Sequence, residues 1–271
     1  MIDESHPSSV GDLLRQWRER RRMSQLALAI EAEISSRHLS FVETGRSRPS
    51  REMVLLLAEV LDVPPRSRND LLAAAGYTPI YRESSLDAPE MAQFRRALDF
   101  ILGQQEPYPA IVLDRYWNVL LANEGTDRFM GVFLDPTVTT ALGPPNGLRL
   151  ICHPEALRPY IINWESTAAA LIQWLHRDLL RSADVGLQFL LDELLAYPDV
   201  PRNWRTLDLD APAAPFLTIE MQKGDTHLKF FTTLTTLGTP YDITLHELRI
   251  ESFFPADEAT NIALRQLNAL A

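Results

Sequence analysis

Apolar and polar positions in the first eighty residues alternate at helical spacing in five short blocks. Val10, Leu13, Leu14 and Trp17 recur every three or four residues, with arginines opposite, and predict a helix over residues 10–21. Ser24 precedes QLALAIEAE as an N-cap before strong helix formers. Ser35 opens a third helix, SSRHLSFVET, which Gly45 stops. Pro49-Ser50 opens the fourth, REMVLLLAEVLDV, and Pro64-Pro65 ends it. RSRNDLLAAAG is the fifth, closed by Gly76.

The pattern then loosens. YTPIYRESSLDAP, with its prolines and turn formers, reads as a linker, and a helix over residues 89–104 follows as a connector or dimer contact. From Pro107 the period falls to two: AIVLD and NVLLAN flank the turn-like DRYW and predict a hairpin. A helical middle includes residues 164–181 and 187–197. The end returns to strands, PFLTIEMQ, LKFFTTLTTLGT and DITLHELRIESFF, with a hairpin at Gly224-Asp225. ADEATNIALRQLNAL is a closing amphipathic helix. Strands, helices and strands in that order predict an α+β domain, an antiparallel sheet capped by helices. The predicted organisation is multi-domain: an all-α five-helix domain over 1–80, a linker and connecting helix over 81–106, and the α+β domain over 107–271.

Composition narrows the class. The 271 residues are 46% hydrophobic and 23% charged, as in a soluble globular protein. No apolar run approaches the roughly 18 residues of a membrane span, and the polar start MIDESHPSSVGD is no secretory signal. A single cysteine removes a disulfide framework and a Cys-rich zinc site. The expectation is a cytoplasmic protein without membrane, metal or resident cofactor. The net charge of −10 lies wholly beyond residue 83, whereas residues 10–55 hold nine arginines against six acids. Phosphate contact depends on that local field, which is screened within about 10 Å.

RMSQLALAIEAEISSRHLSFVETGRSRPS carries the chemistry of the first domain. Ser24-Gln25, Ala27, Ala29, Ile34, Leu39, Val42, Glu43-Thr44-Gly45, Arg46, Arg48, Pro49 and Ser50 together resemble the Xre/Cro-type helix-turn-helix family, with its lambda-repressor-like fold. Glu33 departs from the pattern, since many members place glycine in that turn. Helical spacing predicts that Leu39 and Val42 pack against Ala27, Ile30 and Ile34. Ser35, Ser36, Arg37, Ser40 and Phe41 are then left on the face that enters the major groove in the resembling family. Arg37 suits a bidentate pair to guanine, and Phe41 a thymine methyl. Gln25, at a helix N-terminus, and Arg46 and Arg48 suit the phosphate backbone. Taken singly, Arg37 reads equally well as a solvated surface arginine; the constellation points to a double-stranded DNA operator. The resemblance also implies a homodimer, since members usually bind paired half-sites.

Three readings compete for the second domain. An enzyme lacks support: there is no GxSxG, HExxH, P-loop or GxGxxG, and Asp208, Asp210, Asp242, Glu247 and Glu251 alternate as on a solvated face. A redox or haem sensor rests on Cys152-His153 or on one of His153, His176, His227 and His246, with nothing to single one out. The third reading is a pocket for a small apolar molecule. YPAIVLDRYWNVLLANEGTDRFMGVF resembles the start of a PAS-like domain, and GTPYDITLHELRIESFFPAD is similar to the MmyB-like regulator family. That family joins an Xre-like head to a PAS-like ligand-binding domain, with fatty-acid-like molecules among the candidate ligands.

Residues point the same way. Trp164, Ala168, Leu171, Leu175 and Leu179 form one helical stripe, widened by Ile172 and Trp174. Phe129, Met130, Phe133 and Leu134 add an apolar segment, as do Leu187, Phe189, Leu190, Leu191, Leu194 and Leu195. Each has a plain reading as packed core. For a ligand's polar head, Arg115, Asn118, Asn123 and Arg158 are candidates, with Trp117, Val119 and Leu121 placed on the face of Arg115. Asn123 reads also as the cap of the next helix. The expected function is a DNA-binding regulator modulated by a small apolar ligand; the alternative is a second domain used only for dimerisation or protein contact.

Overall fold

The computed structural model describes residues 9–182, 184–201, 204, 217–237 and 242–269. The chain divides into two compact units. The first comprises residues up to 84 with 180–182 and 240–246, and the second the remainder.

Five helices build the first unit: α1 (Val10–Arg20), α2 (Gln25–Glu31), α3 (Ser36–Glu43), α4 (Arg51–Val60) and α5 (Pro65–Ala74). Ser9, Ser24, Ser35 and Ser50 cap the first four, each accepting from the amide three residues on. Such a cap contributes about 1 kcal/mol. Leu14, Trp17, Leu28, Leu39, Val42, Leu57, Leu71 and Leu72 fill the core. Gly11 lets α1 approach α3, for a Cβ there would lie 2.7 Å from the Glu43 carbonyl oxygen. Arg22, Glu33 and Asp62 follow α1, α2 and α4 with φ near +50°, the left-handed turn that reverses a chain after a helix.

The predicted packing of α2 is out of phase. Leu28, Ala29 and Ala32 face the core, whereas Ala27 is exposed and Ile30 is 69% exposed. Only seven residues of α2 are helical, so an apolar residue at nearly every position left its phase undetermined by spacing.

The second unit begins with α6 (Ala92–Gln104), β1 (Ala110–Leu113), β2 (Val119–Ala122), α7 (Glu124–Phe133), α8 (Pro136–Leu142) and α9 (Gly147–Cys152). It continues with α10 (Trp164–Ser182), α11 (Val185–Ala196), β3 (Thr218–Lys223) and β4 (Thr226–Thr236). α12 (Ile243–Glu247), which but for its last residue belongs to the first unit, comes next in the chain, and β5 (Arg249–Pro255) and α13 (Glu258–Ala269) complete the second. Among the described residues the strands form one antiparallel sheet in the order β2-β1-β5-β4-β3. β3 and β4 meet at Gly224-Asp225, where Lys223 pairs with Thr226.

The sheet has two apolar faces. One lies under α7, α9, α10 and α11 and contains Ile111, Leu113, Ile219, Met221, Leu228 and Phe230. The other presents Ala110, Val112 and Ile250 to Leu98 and Leu102 of α6. The helix expected as a connector is thus one layer of the second unit.

Two further expectations change. ITLHE, read as strand, is the short helix α12, and β5 starts only at Arg249. Val119 and Leu121 fall on opposite faces of the sheet. The turn at Asp114–Trp117 and a bulge in the β1–β2 pairing together shift the count.

Candidate functional site

The helix-turn-helix supplies the first surface. Ser36, Arg37 and Arg46 are exposed, and Ser40 and Phe41 are half-buried. The Arg37 and Arg46 guanidinium groups lie 5.4 and 5.9 Å from the centre of the Phe41 ring. Among the described residues neither arginine has an ion-pair partner. Phe41 therefore gathers two free cations at one end of α3, a cation–π arrangement. Ser35 is placed as the cap of α3, accepting from His38 N at 3.1 Å.

Two predicted backbone contacts have other employment. The Gln25 side chain donates to Glu43 Oε2 at 2.7 Å, inside the domain. Arg48 donates from Nε and Nη2 to Ala75 O at 3.1 and 2.7 Å and lies over Tyr77. Its donors close the end of α5, so its assignment as a DNA clamp is corrected to a tie within the fold. Sequence reasoning missed the residue that organises the motif. Glu43, with its side chain fully buried, accepts from Arg18 Nε and Nη2 at 2.6 and 2.9 Å and from Gln25. Burial pushes the Glu43 carboxyl up, but hydrogen bonds from Arg18 and Gln25 and the charges of Arg18 and Arg15 outweigh it and hold it below its ordinary value.

The second surface is a pocket between the inner sheet face and the helices. An outer groove of about 340 Å³ is lined by residues including Ile111, Val119, Met130, Leu134, Leu142, Arg149 and Leu150. A deeper cavity of about 60 Å³ is lined by Trp117, Phe129, Leu171, Ile219, Met221, Phe230, Thr232 and Glu251, among others. Both spaces share Ile111, Val119, Met130 and Leu150, so these side chains form the wall between them. The outer groove falls within the usual 300–1,000 Å³ of small-molecule sites. Trp117 lines the deep cavity with φ +68°, a strained conformation for a bulky residue, and its buried indole N–H has no partner among the described residues.

Of the expected ligand residues, the structure brings Trp117, Phe129 and Leu171 to the cavity. Phe133, Trp164 and Leu175 are core beside it, and Trp174 packs edge-on against Trp117 at 4.7 Å. The polar candidates are committed elsewhere and are corrected. Arg115 pairs with Asp184 and Glu247. Arg158 bonds Pro198 O and Asp199. Asn118 donates to Asp114 and accepts from Asn146 in the hairpin turn. Asn123 is buried, caps α7 at Thr126 N, accepts from Ala110 N at 2.9 Å and donates to Tyr108 O at 2.9 Å.

Glu251 was the residue misplaced by sequence. Strand alternation groups it with acids on a solvated face, yet it lines the deep cavity. The signal was present: in RIESFF it shares strand phase with Phe253, not with the solvent side. Asp208 and Asp210 lie outside the described residues. Cys152 is core, its thiol pushed by burial up to about 12, which leaves no reactive thiolate at neutral pH. Among the described residues no cluster of metal-ligating side chains occurs, and no helix is long and apolar enough to cross a membrane.

A capped helix-turn-helix with free arginines, joined in one chain to a PAS-like sheet with an apolar pocket, has the layout of a ligand-binding DNA regulator. The chain belongs to the MmyB-like transcription regulator family: the model of that family's ligand binding domain matches residues 94–267, and a helix-turn-helix domain model matches residues 9–71. The family match starts within α6, in keeping with that helix's place on the sheet. No curated protein matches the chain. One similar solved structure is that of an RNA-binding Light-Oxygen-Voltage receptor, at 11% identity over 98% of this chain, with a TM-score of 0.31. This chain covers 64% of the receptor's, and at that score the likeness is too weak to reason from.

Proposed function

We propose that the protein is a sequence-specific, cytoplasmic transcription regulator, working as a homodimer, whose operator affinity is set by a small, largely apolar molecule held in the PAS-like pocket. The observation that carries this reading is the groove and the adjoining cavity, which share Ile111, Val119, Met130 and Leu150 as lining, in a chain that also bears a DNA-reading head. A domain kept only for dimerisation has no need of that space. Its lining includes Met130 and Met221, whose flexible side chains adapt to a ligand's shape. The strained Trp117 fits a clamp that relaxes or reorients on binding.

The head would read DNA through Arg37, with Phe41 beside it and Arg46 on the backbone. Paired half-sites one helical turn apart need two heads, hence the dimer. A ligand acts only through its differential affinity for the DNA-competent and DNA-incompetent states. A coupling of about 1–3 kcal/mol is enough for a roughly 5–150-fold change in operator affinity.

The test begins with mass spectrometry of native and denatured protein for a co-purified small molecule, and selection of an operator from random duplexes. Operator affinity is then measured with the pocket empty and filled. A change of fivefold or more is expected. A ligand that binds stoichiometrically and leaves operator affinity unchanged would leave a DNA-binding protein whose second domain serves assembly alone.

A further inference from the structure

Among the described residues lining the deep cavity, one carries an ionisable side chain that the reading above does not use. Glu251 sits in the middle of β5, opposite Ile111 of β1 and Leu234 of β4, and is nine-tenths buried. Every other described residue lining the deep cavity is uncharged, and the Thr232 hydroxyl hydrogen-bonds its carboxyl. The next charge along the same strand face, Arg249, pairs with Asp178 and lies 4.9 Å from the centre of the Trp174 ring. Among the described residues the carboxyl therefore has no counter-ion, and burial pushes it up from 4.5 to about 7. An unpaired buried carboxylate is costly, and a fold with no use for one would place an apolar residue there.

We propose that this pocket takes hydrophobic amines, molecules with an apolar body and an ammonium end that pairs with Glu251. The inference rests on the reading of the pocket as a ligand site and names the chemistry of its occupant. The ammonium supplies the missing counter-charge and donates hydrogen bonds to the carboxylate, while the aliphatic wall takes the body. A ligand carboxylate would set two like charges together and would need a proton taken up with it. The charge of the chain beyond residue 83, 14 basic against 24 acidic residues, also draws cations and repels anions. Arg149, the one cation among the described residues lining the outer groove, is held bidentately by Glu193 at 2.7 and 2.9 Å and so is already paired.

The experiment compares molecules with one tail and different heads on the full-length protein at pH 8: octylamine, N-octylacetamide, 1-octanol and octanoate, by titration calorimetry. Octylamine is expected to bind at least tenfold more tightly than the other three, and Glu251→Gln to abolish that preference while retaining 1-octanol binding. Should octanoate bind best, or octylamine and N-octylacetamide bind alike, the amine assignment is overturned while the apolar pocket stands. A preference for octylamine that survives in a folded Glu251→Gln protein overturns it too. Binding of none of the four removes the pocket reading along with it. If Glu251→Gln does not fold, the comparison of amine with acetamide in the unaltered protein decides alone.

Discussion

Arg18 of α1 donates two hydrogen bonds, at 2.6 and 2.9 Å, to the fully buried carboxylate of Glu43 at the end of α3. Gln25, the first residue of α2, donates a third at 2.7 Å. One carboxylate thus ties together the three helices that set the angle of the reading helix. A buried pair of this kind adds little net stability over an apolar pair, but removal of one partner strands the other.

Glu43→Gln is expected to destabilise the first domain by about 3 kcal/mol, because the Arg18 guanidinium keeps its charge and loses its buried counter-ion, retaining only the exposed Glu19 at 3.9 Å. Because Glu43 holds its carboxyl below the ordinary value, its contribution is present above that range and is lost as pH falls through the lowered value. Urea unfolding of the two proteins should therefore differ most at neutral pH and converge in acid. A constant difference at all pH values would mean that Glu43 acts through shape alone.

The Phe41 ring between Arg37 and Arg46 separates two roles that can be measured apart. Arg37→Ala is expected to cost about 1–3 kcal/mol on the operator and relax preference at one base pair. Arg46→Ala should weaken operator and random DNA alike and lower the salt slope by about one. Arg48→Ala should leave that slope unchanged and lower the melting temperature, because its donors are on Ala75 O. Competition binding at two salt concentrations checks all three.

Glu33 sits at φ +54° in the turn between α2 and α3, a conformation that costs an L-residue about 1 kcal/mol and glycine almost nothing. Glu33→Gly is expected to raise stability by about 0.5–1 kcal/mol with operator affinity unchanged. Thermal unfolding measures the first and gel shift the second. A loss of stability would show that the glutamate side chain contributes more than its backbone costs.

The first domain was largely legible in sequence because its signals are local. Ser24, Ser35 and Ser50 announce three helices and do cap them, and Gly45 marks a stop where φ is +71°. Partners across the fold were not legible. Glu43, Gln25 and Arg48 lie on a surface-like pattern, and only tertiary structure shows that their polar atoms meet other helices. In the second domain the stripe on α10 was readable at Trp164, Ala168, Leu171 and Leu175, all buried. On α11 apolarity misled: Phe189 is 71% exposed while Leu190 and Leu191 are core. The polar candidates for the ligand are engaged in two ways: Arg115 and Arg158 have partners far along the chain, such as Glu247 for Arg115, whereas Asn118 and Asn123 also serve the local turn and the cap of α7. Glu251 was passed over because an acid on an alternating strand usually faces water.

The placement of Glu251 has a consequence for stability that needs no ligand. In the unfolded chain its carboxyl titrates near the ordinary 4.5, whereas in the fold burial holds its proton up to about 7. Below 4.5 both states are protonated and the group is neutral to folding. Between 4.5 and 7 the folded state binds the extra proton, so stability falls as pH rises, and above 7 the full penalty of about 3 kcal/mol applies. Glutamine keeps the shape and cannot ionise. Glu251→Gln is therefore expected to be as stable as the unaltered protein near pH 4.5 and more stable by about 3 kcal/mol at pH 8, read from the unfolding of the second domain. Equal stability at both pH values would mean that water or a cation reaches the carboxylate in the folded protein. An ammonium ligand should erase the same difference, since it stabilises the ionised form that the empty cavity penalises.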